Sequence, residues 1–483
     1  MKIKRILKNK ELKNTFYYIF SSFFGAFLPL ISVPIFTNYL SVEQFGTYAL
    51  IQVYSIFLVG VCNFGLTTAY EREFFEYDSK IQKSTLFFSV TTFVFVLLIL
   101  AGTITFILKS NISNFFFEKI DYENLILLSF MATAFNNLKL YFLIYFKNIK
   151  NAKLYALYNI FEITFTYISS IVFLIFLDMG ISALIVGQLL SNFIVLLLLL
   201  FFYLKDNKFL LNKSFLIPAL KISFPLTPKI FFGIIGSQFD KYMLGMLNSV
   251  GGVGIYNVGH KLANVSFILM TAIQQVYAPN VYNKMFKLSK IDAGKSIGKY
   301  LMPYMYLSVL FCLLVCLFSE EIIIMMTPVE YHGAIKITII LSLLYSTMFF
   351  GKQPQLIYSK KTWLSSMLLL LSIALNILIN IPFIYKWGAL GAAYATLLGG
   401  LISNSIAYFL YQKYFFIHWE FKKTILIYIS LYLFIFISLI LFDLEYSYLI
   451  RLFLKVLFLS AFILIGYSFK LFLNIKDYTV KFR

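Results

Sequence analysis

The chain has 483 residues, 60% of them hydrophobic and 19% aromatic, with only 13% charged and a formal net charge of +20. Soluble globular proteins stand near about 45–50% apolar and about 25% charged, which excludes a soluble enzyme or binding module. The positive excess does not signal nucleic acid either. Lys and Arg gather in short connections between apolar runs, and no aromatic–basic binding module accompanies them.

The basic start MKIKRILKNKELKN precedes an apolar run too long for the core of a secretory leader, and it reads as leading into a retained first helix. In chain order, apolar segments lie near 15–36, 45–65, 85–108, 124–146, 154–176, 182–204, 215–247, 254–279, 300–318, 334–358, 364–385, 390–412, 424–442 and 449–473. Most have the ~20 residues a membrane-spanning helix needs. The expected fold class is therefore all-α, a polytopic membrane protein of about fourteen helices. The seventh segment is the longest, and Pro225 and Pro228 should break or bend it.

With the N-terminus on the cytoplasmic side, the inner connections carry 28 Lys and Arg and the outer ones carry 3. By the positive-inside rule this predicts both termini in the cytoplasm. The outer connections hold acids instead: Glu118, Asp121, Glu320, Glu321, Glu330 and Asp443. Connections this short leave no room for a soluble catalytic domain. Gly294-Lys295-Ser296 resembles the end of a phosphate-binding loop, but Ser289 stands where that motif needs glycine, so it reads as a solvated loop. Cys62, Cys312 and Cys316 lie inside apolar spans and read as small buried filler. His332 and His418 fall in loops, and no cluster suggests a metal, a cofactor or a catalytic site.

Ten cations remain inside the spans: Lys139, Lys221, Lys229, Lys241, Lys261, Lys336, Lys352, Arg451, Lys455 and Lys470. Each costs about 2.5–3.5 kcal/mol at a helix centre on insertion scales, unless it finds water, an anion or a partner. Arg451 and Lys470 are near enough to the ends of the last span to snorkel. The remainder point to a wet internal cavity. On the seventh span, Lys229, Gly233, Gly236 and Asp240 share one helical face, with Lys241 beside them. On the eighth, His260, Asn264, Thr271 and Gln275 do the same, flanked by Lys261 and Gln274. On the fifth, Asn159, Glu162, Thr166 and Ser169 form a polar stripe in which Glu162 is either a partner for Lys139 or a proton or cation site. Ser21, Gly25 and Ser32 on the first span, and Thr396, Gly400 and Ser403 on the twelfth, have the spacing of helix-packing faces.

Four stretches resemble one family. LPLISVPIFTNYLSVEQFGTYAL (28–50), NFGLTTAYERE (63–73), QFDKYMLGMLNSVGGVGIYNVGHKLAN (238–264) and NILINIPFIYKWGALGAAYATLL (376–398) are similar, in order and spacing, to the polysaccharide-unit flippases. These belong to the multidrug/oligosaccharidyl-lipid/polysaccharide exporter superfamily. Gly259 and Lys241 depart from the residues usual there, and Lys241 gives up the bidentate phosphate geometry of arginine. The echo of Gly46-Thr47-Tyr48 in Gly254-Ile255-Tyr256 agrees with the two pseudo-symmetric bundles of that family.

The resemblance implies six-helix bundles at 1–204 and 215–412, with two further helices at 424–473. It implies transport of undecaprenyl-pyrophosphate-linked oligosaccharide to the outer leaflet of a bacterial inner membrane, by alternating access. Arg72 and Lys229 are then the first candidates for the anion. Lys261, Lys139, Asp240, Lys241, His260, Asn264 and Gln275 are expected around the substrate, and Glu162 or Asp240 at ion coupling. The expected partners are the lipid-linked glycan, membrane lipids, and the polymerase and glycosyltransferases of the same pathway; no cofactor is expected. The competing readings are a cation-coupled drug or metabolite antiporter, which would favour an acidic cavity, and a membrane-embedded glycan polymerase or ligase, which would need a long outer loop.

Overall fold

The structure is a computed structural model that describes residues 10–117, 121–351, 355–359 and 361–471. Among them there is no strand. The first helices are α1 (Lys10–Tyr39), α2 (Val42–Asn63), the short α3 (Leu66–Glu73), α4 (Lys80–Phe117), α5 (Glu123–Asn148), α6 (Ala152–Ile175), α7 (Ile181–Asp206) and α8 (Lys213–Leu247). Then come α9 (Val250–Lys287), α10 (Lys290–Leu317), the short α11 (Ser319–Met326), α12 (Ala334–Gly351) and the single turn α13 (Gln355–Tyr358). The described residues close with α14 (Thr362–Tyr414), α15 (Phe421–Asp443) and α16 (Tyr448–Ser468).

Local chemistry sets these boundaries. Ser41 and Gln44 form a reciprocal cap at the start of α2: the Gln44 N–H donates to Ser41 Oγ at 3.2 Å and the Ser41 N–H to Gln44 Oε1 at 2.9 Å. Asn151, Asn212 and Ser289 accept backbone N–H groups at the starts of α6, α8 and α10. Helix α2 ends through Phe64 and Gly65, both in the left-handed region, at φ 53° and 69°. In α8 the arms Lys213–Pro225 and Ile230–Leu247 meet at 52°, the bend expected at the prolines. Thr227, between them, donates to the carbonyls of Ser223 (3.0 Å) and Phe64 (3.1 Å), which pins the bend to the end of α2.

Helix α14 is two spans. At ~1.5 Å per residue a continuous helix of 53 residues would run ~80 Å, far more than a hydrocarbon core of ~30 Å. Gly388, at φ 54° and ψ −128°, breaks it. The arms fold back, so that Asn376 donates to Thr396 Oγ1 at 3.4 Å although the two are 20 residues apart.

Ten described helices are long and apolar enough to cross a membrane, or eleven with the bent α8. The expected fourteen is not reached by that measure, for three physical reasons. The apolar part of α1 is the shorter Phe23–Tyr39, and the 53-residue α14 counts once. Helix α9 is absent from the ten, and it carries His260, Lys261, Asn264, Gln274 and Gln275. The outer faces agree with lipid contact: Ile99, Leu100, Phe106 and Ile107 on α4 are all more than half exposed.

By internal contacts the chain forms two compact units, 1–257 and 258–483. In the first, a core of Tyr70, Phe87, Phe142 and Tyr203 joins α3, α4, α5 and α7. Close backbone approach fixes α2 against the start of α9. A Cβ on Gly46 would lie 1.9 Å from the Val250 carbonyl oxygen, and one on Gly254 would lie 2.1 Å from that of Val42. Gly294-Lys295-Ser296 is not the solvated loop its sequence suggested. It lies inside α10, where a Cβ on Gly294 would meet the Phe416 carbonyl oxygen at 2.4 Å and Ser296 Oγ receives Lys284 Nζ at 2.6 Å. The three cysteines are buried and unpaired, Cys62 and Cys316 each facing a backbone carbonyl.

Gly46→Ala should force α2 and α9 apart and lower the thermal midpoint of the detergent-solubilised protein, an overpacking cost of about 1–3 kcal/mol. Gly233→Ala, where an added Cβ meets nothing within 4 Å, should leave the midpoint unchanged or slightly raised.

Candidate functional site

Acids are scarce in the membrane helices, and several of them hold a cation from another helix. Lys139 on α5 is almost wholly buried, and its Nζ lies 2.8 Å from Glu162 Oε2 on α6. A buried ammonium is tolerable only with such a partner. Further contacts hold the pair. Lys139 also donates to Asn192 Oδ1 at 3.4 Å, Asn192 Nδ2 donates to the Ala132 carbonyl at 3.1 Å, and Ser191 Oγ donates to the Glu162 carbonyl at 2.8 Å. Of the two roles open to Glu162 in the sequence, partner to Lys139 is the one the geometry displays.

The Glu162 carboxylate lines a cavity of about 250 Å³ within the first unit, formed by α1, α2, α5, α6 and α7. Its other polar lining includes Gln52, Asn136, Thr166, Tyr167, Gln188 and Asn192. Gln52 Nε2 donates to Gln188 Oε1 at 2.8 Å, and Gln188 Nε2 donates to the Tyr48 hydroxyl at 2.7 Å, which orients both amides. Of the rest of the α6 stripe, Thr166 also lines the cavity and donates to Glu162 Oε1 at 3.5 Å, whereas Asn159 donates to Ser21 Oγ at 2.8 Å and Ser169 to the Gly187 carbonyl at 3.3 Å in helix packing.

In the second unit, Lys455 on α16 places Nζ 2.6 Å from Glu320 Oε2 and 2.8 Å from Glu321 Oε1. Arg451, one turn earlier, reaches Glu320 Oε1 at 2.6 Å. Glu320 is therefore not a solvated acid of an outer loop but a buried counter-ion on α11 that anchors the last helix. Arg451 answers its charge here and not by snorkelling. Lys336 on α12 meets Asp443 on α15 at 2.6 Å.

The other predicted site residues are distributed as follows. Arg72 lies near the end of α3, paired with Glu73 and with Glu76 (3.0 Å), its side chain more than half exposed. Asp240 on α8 is half-buried and accepts from the Tyr256 hydroxyl at 3.0 Å, and Lys241 beside it is half-buried. The open space beside Gly233 on α8 is present. His260, Lys261 and Asn264 are half-buried on α9, in the second unit. The side chains of Lys229 and Gln275, and all of Lys352 and Glu118, lie outside the described residues. The structure thus brings Lys139 and Glu162 together in one site. It adds Gln52, Asn136, Gln188 and Asn192, which the sequence reading passed over. Their sequence signal was uncharged amides in apolar spans, with Asn136 beside Asn137 and Gln188 one turn before Asn192. No metal cluster of His, Cys, Asp and Glu occurs among the described residues.

Lipid-facing helices of this length with internally paired charges define a multi-pass membrane protein. The sequence model of the family described as polysaccharide biosynthesis protein matches residues 12–282, more than half of the chain, and the chain belongs to that family. Among solved structures it is similar to the lipid II flippase MurJ in an inward closed conformation, at 16% identity and a TM-score of 0.70 over 94% of this chain and 99% of that one. It is also similar to the MATE multidrug transporter DinF-BH, at 14% identity and 0.58 over 81% and 92% of the two chains. A point mutant of the Vibrio cholerae MATE transporter VcmN matches at 15% and 0.55 over 84% and 96%. At these identities the likeness is one of fold, the fold of the multidrug/oligosaccharidyl-lipid/polysaccharide exporters. No curated protein matches the chain.

Lys139→Met alone should strand the Glu162 carboxylate in a half-buried site and destabilise the protein by about 3–5 kcal/mol. The double change Lys139→Met with Glu162→Met should recover much of that loss. Thermal unfolding of the four combinations checks the coupling, and additive effects would show that the pair is not a unit.

Proposed function

We propose that the chain is a flippase that moves undecaprenyl-pyrophosphate-linked oligosaccharide units from the cytoplasmic to the outer leaflet of a bacterial inner membrane, for surface polysaccharide assembly. The observation that carries this reading is membership of a polysaccharide biosynthesis family by a chain with a transporter fold, whose similarity to the lipid II flippase (TM-score 0.70) exceeds that to the drug transporters compared with it (0.55–0.58). The charge pattern supports it. Basic residues outnumber acids in the spans, as an anionic headgroup requires and a cationic drug does not.

In this reading the 28 inner Lys and Arg gather the lipid pyrophosphate at the cytoplasmic surface, with Arg72 among them. Lys229, Lys241 and Lys261 then receive it along the polar faces of α8 and α9, with His260, Asn264 and Gln275 beside them. The polyprenyl chain stays in lipid. The bundles 1–204 and 215–412 alternate access between the two sides, and the helices of 424–473 serve the lipid tail. Glu162 or Asp240 serves ion coupling in this reading. The reading places both termini in the cytoplasm and makes the glycosyltransferases and polymerase of the same pathway its partners.

Lys229→Gln and Lys261→Gln together should abolish surface polysaccharide in a flippase-deficient strain while protein abundance holds, with lipid-linked precursor accumulating. Surface glycan at wild-type level in that double variant would refute the anion path.

A further inference from the structure

The cavity of the first unit does not suit the pyrophosphate. We propose instead that it is a carbohydrate subsite, which takes one neutral pyranose residue, a hexose or N-acetylhexosamine, of the transported glycan. The proposal rests on the flippase reading above for the source of that sugar.

Charge is the first argument. The ionised group lining the cavity is the Glu162 carboxylate, whereas its counter-ion Lys139 lies behind it and is not part of the lining. A diphosphate entering here would meet a negative oxygen. A bare cation would find that oxygen already matched by an ammonium at 2.8 Å. What the arrangement offers is a fixed, charge-compensated acceptor, which suits a neutral hydroxyl donor.

Size is the second. At about 250 Å³ the cavity is far larger than one ion or water, which takes roughly 30 Å³. It is also below the ~300–1,000 Å³ of pockets that take drug-sized ligands. A single sugar ring fits this range.

Unused hydrogen-bonding capacity is the third. The Asn136 amide lines the cavity and makes no hydrogen bond to the described residues. Gln52 spends its NH₂ on Gln188, and its carbonyl oxygen receives nothing from the described residues. A donor–acceptor amide, a free carbonyl and a carboxylate on three different helices thus converge on one space. They complement adjacent hydroxyls or an acetamido group. Tyr167 also lines the cavity, its ring stacked with Phe36 at 6.1 Å between centroids. Glu162, Gln52 and Asn136 are half-buried, so a ligand can reach them.

The test uses the full chain in lipid nanodiscs and saturation-transfer NMR with free glucose, rhamnose, N-acetylglucosamine and N-acetylgalactosamine at millimolar concentration. Inorganic pyrophosphate and sodium chloride, which have no protons to observe, serve as separate probes read by phosphorus and sodium NMR line broadening. At least one sugar should receive transfer from the wild type. Asn136→Leu and the less bulky Asn136→Ser should each weaken that binding by about fivefold or more, as expected for lost hydrogen bonds, with the pyrophosphate response unchanged as the check of folding. The subsite is overturned if none of the four sugars binds, if both variants bind sugar as the wild type does, or if the variants change only the response to sodium. The outcome is separable from the flippase reading. A wild-type chain that restores glycan export yet binds no sugar sinks the subsite alone, whereas failure to restore export sinks the flippase.

Discussion

Every charge held among lipid-embedded helices must meet an opposite charge or water, and in this chain the scarce partner is the acid. There are 41 Lys and Arg against 21 Asp and Glu. Glu162 fixes α5 against α6 through Lys139, Glu320 and Glu321 fix α11 against α16, and Asp443 fixes α15 against α12. These contacts add little net stability, because burying both charges offsets most of their attraction. They do exclude alternative pairings, since any other arrangement strands a charge in lipid. Helix–helix association in a bilayer has no hydrophobic drive between spans, so close packing and such polar contacts set its specificity.

Close backbone approach does the rest. The Gly46–Gly254 crossing and the seat of Gly294 and Gly298 against Phe416 and His418 leave no room for a methyl group. Both are van der Waals contacts of main chain on main chain, and glycine alone permits them. The repeated Gly-x-Tyr at residues 46 and 254 is therefore more than an echo: a Cβ on Gly46 would lie 3.0 Å from the Gly254 nitrogen, and one on Gly254 would lie 3.1 Å from the Gly46 nitrogen.

Much of the fold was legible in the sequence because it follows from local composition. Apolar run length marked the membrane helices, and Pro225 and Pro228 marked the bend of α8. The Gly294 segment was misread as a loop because short-range polarity looks solvated when the packing partner, about 120 residues on, is unknown. The site was legible only in part. Lys139 and Glu162 stood out as lone charges, and their pairing could be named. Gln52, Asn136 and Gln188 carry no charge and share no periodicity, since they stand on three separate helices and converge only after α2, α5 and α7 have packed. Likewise, nothing near Glu320 in the chain announces that its partner is Lys455.

Contacts within the second unit differ in how far they reach along the chain. The arms of α14 meet across a turn of a few residues at Gly388, so that hairpin can form as soon as it is synthesised. The clamp on Glu320 has to wait for a helix about 130 residues downstream. Until the ribosome has delivered α16, α11 carries a bare carboxylate at its buried end. A chain cut short after Asp443 would lack Arg451 and Lys455 and leave the Glu320 carboxylate without these counter-ions.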